Sequence, residues 1–166
     1  MADHPGAAQD QAESPQQRLA ALGIELPKPA SPLASYIPVR LTGRRAWVSG
    51  QGPVQDGISL YQGRLGDSVS LEEGAAAARL ATINLLAALQ AALGGLDRVS
   101  HFERLSVMVA ATPDFTRHPA VANGASELLL AVFGEAGRHS RVAFGVASLP
   151  LGWPVELEAQ VFLTRH

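Results

Sequence analysis

The chain has 166 residues, 47% of them hydrophobic, which is enough for one buried core and sets the expectation of a single domain. Its formal charge of −2 arises from 13 basic and 15 acidic residues, a balance that argues against attraction to nucleic acid or to an anionic membrane. The absence of cysteine excludes disulfides, thiolate metal sites and cysteine nucleophiles, and it fits a reducing cytoplasm.

Residues 1–16, rich in Ala, Gln, Asp and Pro, read as a disordered tail without the apolar run of a secretory signal, and residues 17–166 read as one domain. Helix formers from Pro15 to Leu22 stop near Gly23. Pro27, Pro29 and Pro32 then make an extended linker that holds Lys28, the sole lysine, which removes a desolvated Schiff-base lysine from consideration. Tyr36 to Leu41 alternates like a strand with Pro38 on an edge, Thr42-Gly43 turns the chain, and Ala46-Trp47-Val48 forms the hairpin partner.

Ser70 and Glu73 have the spacing of a capping box, so a helix is expected over 71–93, ended by Gly94-Gly95. Thr82, Asn84 and Gln90 interrupt its apolar run, which argues against a membrane span. His101 to Ala111 alternates, with Leu105, Val107 and Val109 on one face and Arg104, Ser106 and Met108 on the other. A second helix is expected from His118-Pro119 to Gly134, followed by strands from Arg141 to Ala147 and from Val155 to Leu163. Strands, helix, strand, helix, strands imply an α+β fold: a mixed sheet with both helices on one face.

In the strand from Arg141, alternation groups Arg141 with Ala143, Gly145 and Ala147. Such a small face leaves room for a ligand beside a guanidinium, which binds a carboxylate through two parallel hydrogen bonds. The same pattern equally fits an arginine that snorkels or pairs with an acid while the small face meets another layer closely. Glu156 and Glu158 share one face of the last strand, fit either for orienting water or for plain solvent exposure. Ser49-Gly50-Gln51 reads either as an anion-binding turn or as a tight loop. The five histidines lack paired metal spacing, so no metal is expected.

Taken together, Ser140-Arg141-Val142-Ala143-Phe144-Gly145-Val146-Ala147-Ser148-Leu149-Pro150 and Val155-Glu156-Leu157-Glu158-Ala159 resemble the signature of the RidA/YjgF family. Trp47-Val48-Ser49-Gly50-Gln51 resembles an earlier strand and turn of that family, and the resemblance runs from about Tyr36 to Leu163. It implies a chorismate-mutase-like homotrimer with sheets packed together inside, small-carboxylate ligands in intersubunit pockets, and hydrolysis of reactive 2-imino acids to 2-keto acids and ammonia without a cofactor. On that resemblance Arg141 grips the carboxylate and Glu156 positions water, while Tyr36, Ser49, Gly50, Asn123 and Ala143 border the substrate. Two positions depart from the pattern: Gly145 stands where imine-hydrolysing members usually carry an acid, and Ala143 where cysteine is frequent. The alternative is a non-enzymatic trimer that holds a small carboxylate metabolite or docks a partner. Ribonuclease activity ranks last, given the acidic balance and the lack of a basic signature.

Overall fold

The computed structural model describes residues 13–29 and 35–165, so only residues 13–16 of the expected tail fall within it. Those residues are not tail: Ser14 caps helix α1 (Pro15–Ala21), accepting a hydrogen bond from the Gln17 amide while the Gln17 side chain accepts one from the Ser14 amide. Leu19 on this helix is buried, and α1 packs beside the later helix over 118–133.

Seven strands follow: β1 (Val39–Thr42), β2 (Arg45–Gln51), β3 (Val54–Gln55), β4 (Ile58–Ser59), β5 (Val99–Ala110), β6 (Ser140–Val146) and β7 (Val155–Leu163). β1 begins three residues later than the alternation at Tyr36 suggests. Proline has no amide hydrogen to give a ladder, and pairing starts with the Pro38 carbonyl accepting from Ser49 N at 2.9 Å. The edge placement inferred from Pro38 holds, since β1 ends the sheet order β1-β2-β7-β5-β6. All neighbours in that sheet are antiparallel except β5 and β6, which a helix joins. β3 and β4, a small hairpin turning at Asp56-Gly57, were not anticipated.

Helix α2 (Leu71–Leu93) has the expected bounds because both ends are chemically marked. Ser70 Oγ accepts from Glu73 N at 3.1 Å, Ser70 N donates to Glu73 Oε2 at 2.8 Å, and Gly94 closes the helix at φ 77°. At about 35 Å, and by composition, α2 is long and apolar enough to cross a membrane, yet it packs against β2, β7 and helix α3 (His118–Phe133). Its alanines let α3 approach closely, and Gly124 of α3 sits against the Ala75 carbonyl with no space for a side chain.

Both long helices cover one face of the sheet. Leu105, Val107 and Val109 of β5 and Val155, Leu157, Ala159 and Val161 of β7 are buried beneath them, as their alternation requires. The opposite face carries Trp47, Met108, Phe144, Glu156 and Glu158 in mixed exposure. Leu157 lies at the centre of the covered face and is fully buried, so Leu157→Ala is expected to cost roughly 2–5 kcal/mol of stability, measured by urea denaturation.

Candidate functional site

Arg141 lies on β6, an edge strand, on the face covered by helices. Its guanidinium is drawn onto α3: Nη1 donates to Asn123 Oδ1 at 2.9 Å and to Ser126 Oγ at 3.0 Å, and Nη2 donates to the Pro119 carbonyl at 3.4 Å. Among the described residues these partners are all neutral, and no acid pairs with the guanidinium. Both Nη1 hydrogens are engaged, whereas Nε and the second Nη2 hydrogen have no partner among the described residues. Unengaged guanidinium N–H groups of this kind can donate to a carboxylate.

The small face around Arg141 is not open space. Ala143 packs against the core, and a side chain at Gly145 would run into the His118 ring, whose Nε2 would stand 2.7 Å from its Cβ. The imidazole of His118, itself edge-on to Phe115, therefore fills the room that an acid at 145 would use. A side chain at 145 would require the His118 ring to move.

Two further residues of the cluster, Ser126 and His139, were not singled out from the sequence. Their spacing was nevertheless legible: Ser126 follows Asn123 by three on one helix face, and His139 precedes Arg141 by two, just ahead of β6. His139 Nδ1 lies 2.6 Å from the Gly137 carbonyl, which can only accept, so Nδ1 carries the hydrogen. Nε2 then accepts from Ser126 Oγ at 3.0 Å, leaving the serine oxygen free to accept from Arg141. A neutral imidazole with the hydrogen on Nδ1 satisfies every member of this chain.

Burial, with a smaller contribution from the Arg141 charge, holds the His139 pKa below the ordinary imidazole value, against the opposing pull of the Gly137 carbonyl. A base with a lowered folded-state pKa contributes stability above its unfolded pKa and loses it as pH falls through the folded one. Urea denaturation at a series of pH values is therefore expected to show stability declining below the imidazole range. In His139→Gln that decline should be shallower; an unchanged slope would remove His139 as its source.

The remaining predicted residues gather elsewhere. A bulge between Val48 and Gln51 carries Ser49 and Gly50 out of regular register with β7. Ser49 Oγ donates to the Ile37 carbonyl at 2.8 Å, pinning the segment that bears the exposed Tyr36. Glu156 Oε1 occupies the position that a side chain at Gly50 would need, so any larger residue there would displace the carboxylate. The Glu156 carboxyl is half-buried, and desolvation first, then the nearby Glu158 charge, push its pKa above the usual carboxylate range.

The two groups do not meet within one chain. Leu105 pairs with Arg141 on one side and Ala159 on the other, so Arg141 shares the helix-covered face. Met108 pairs with Phe144 and Glu156, so Glu156 shares the opposite face. With β5 between them, β6 and β7 are also about 10 Å apart. One chain therefore holds Arg141, Asn123 and Ala143 in one group and Tyr36, Ser49, Gly50 and Glu156 in another.

The family whose description reads "YjgF/chorismate mutase-like, putative endoribonuclease" matches residues 16–157. Protein TCP17 of Trypanosoma cruzi is 47% identical over 145 residues, spanning 87% of this chain and 91% of that protein. A solved structure from Shewanella oneidensis bearing the same endoribonuclease label is 40% identical with a TM-score of 0.88, covering 91% of this chain and all of its own. RidA from a Psychrobacter species, at 24% identity and a TM-score of 0.57 over 82% of this chain and 94% of that one, shares the fold. Sequence signature, sheet order and these likenesses agree: the chain belongs to the YjgF/chorismate mutase-like family.

Proposed function

We propose that this protein hydrolyses 2-imino acids to 2-keto acids and ammonia at a site completed by a second copy of the chain. The observation that carries this reading is the Arg141 guanidinium, steadied by Asn123 and Ser126, with no acid paired to it among the described residues and with N–H groups left for a carboxylate. A half-buried Glu156, its pKa raised by desolvation above the usual carboxylate range, supplies the second requirement, a carboxylate more basic than an exposed one to draw a proton from water.

In this mechanism Arg141 of one subunit binds the carboxylate of the imino acid, and Glu156 of its neighbour receives a proton as the oxygen of water adds to the imine carbon. Collapse of that adduct breaks the carbon–nitrogen bond, releases ammonia with the proton returned, and leaves the 2-keto acid. No cofactor enters the balance. Holding water and imine together between two fixed groups supplies much of the acceleration. Because β6 is an edge strand, Arg141 lies where a neighbouring subunit can approach it, which supports a homotrimer with pockets between subunits.

The test is ammonia release from imino acids generated freshly by an amino-acid oxidase, measured against their spontaneous hydrolysis. Acceleration is expected. No acceleration with any imino acid, together with thermal stabilisation by 2-keto acids, would instead favour a carboxylate-binding protein without turnover.

A further inference from the structure

A cavity of about 450 Å³ has Tyr36 and Gly50 on its wall, so it adjoins the half-site that holds Glu156. Trp153, Val54, Ala88 and Pro38 give most of the remaining wall an apolar surface. Lys28 and Asp56 bring charge to its lining, while Asn84 and Trp153 hold the wall in place. Asn84 Nδ2 donates to the Gly52 and Val54 carbonyls at 2.9 and 2.8 Å, and Trp153 Nε1 donates to Ser59 Oγ at 2.9 Å. The interior is thus preformed, mostly carbon, and of a size suited to a small ligand.

Backbone strain marks the same place. Asp56 (φ 52°) and Leu151 (φ 55°) are the only non-glycine residues at positive φ among the described residues and both line this cavity; Asp56 has the ordinary geometry of the β3–β4 hairpin turn, so the strain is at Leu151. A leucine in that region is held against its steric preference, here by Gln62 Nε2 donating to the Leu151 carbonyl at 3.2 Å and by Gly63 N donating to the Gly152 carbonyl at 2.9 Å. Strain of this kind persists where surrounding structure over-determines it, commonly at binding sites.

We infer that the cavity receives the side chain of the substrate, and that the substrates are 2-imino acids with large apolar side chains. A methyl group would leave most of the space empty, whereas a branched aliphatic or aromatic group fills it. This inference rests on reading Arg141 and Glu156 as the two ends of one site.

The experiment compares the binding of stable product keto acids to the full chain by calorimetry, using pyruvate, 4-methyl-2-oxopentanoate and phenylpyruvate. The two larger acids are expected to bind about tenfold or more tightly than pyruvate. Ala88→Leu and Val54→Phe both fill the cavity from different elements, and each is expected to cut that ratio to about twofold or less. Equal affinities in the unaltered protein, or a preference that survives in both folded variants, would overturn the inference. Parallel hydrolysis assays with imines made from alanine, leucine and phenylalanine separate it from the wider reading. Ammonia release without size preference overturns the cavity assignment alone; size-selective keto-acid binding without ammonia release overturns hydrolysis and leaves the cavity assignment standing.

Discussion

Arg141→Ala is expected to lower kcat/KM for 2-imino acid hydrolysis by about 10²–10⁴-fold. Two charge-assisted hydrogen bonds to a carboxylate are lost, each contributing roughly 1.5–3 kcal/mol. Arg141→Lys keeps the charge but not the planar fork of donors, so it should fall between wild type and alanine. The change leaves Asn123 and Ser126 partly unpartnered, but Asn123 is exposed and Ser126 retains His139, so the fold should persist. Ammonia assays on freshly generated imino acid, with matched circular dichroism, check both statements. Unchanged release would remove Arg141 from the mechanism.

Glu156→Gln carries the second large effect and acts on a different parameter. With the carboxylate bound elsewhere, loss of the base should reduce kcat by about 10²–10⁴-fold while moving KM little. The pKa shift adds a second signature. A carboxyl whose folded-state pKa is raised contributes stability at low pH and loses it as pH rises through that value. At neutral pH the ionised Glu156 is therefore a burden on the fold, and Glu156→Gln is expected to melt no lower than wild type, and somewhat higher. The acid limb of the pH–rate profile should lie above the ordinary carboxylate range in wild type and vanish in the variant. A variant that is both inactive and markedly unstable would point to a structural rather than chemical role.

Much of this fold was legible because its boundaries are local chemistry. Ser70, Glu73 and Gly94 define α2 to the residue, and the alternation of Leu105, Val107 and Val109 identifies β5 and its buried face. The β3–β4 hairpin was missed despite its Asp56-Gly57 turn, a strong hairpin signal, because strands of two residues carry no measurable alternation. Tyr36 and Ile37 alternate like a strand but lie outside β1, since Pro38 sets where pairing starts. The relation between Arg141 and Glu156 was the least legible feature. Alternation ordered the faces correctly within each strand, but which face of β6 matches which face of β7 depends on their registers against β5. Those registers arise from tertiary pairing, not from local pattern.

Gly145 illustrates the converse. Its departure from the family pattern stood out in the sequence, whereas its neighbour in space, the His118 ring at the start of α3, did not.

The central claim is that Arg141 and Glu156 serve one site from two subunits, and subunit mixing tests it most directly. Arg141→Ala and Glu156→Gln proteins, each inactive alone, are unfolded, combined in equal amounts and refolded together. With random assembly of a cyclic oligomer, about a quarter of the interfaces regain an intact arginine facing an intact glutamate, so about a quarter of wild-type activity should return. If both residues instead act within one chain, every chain in the mixture remains defective and the activity stays at the level of the separate variants.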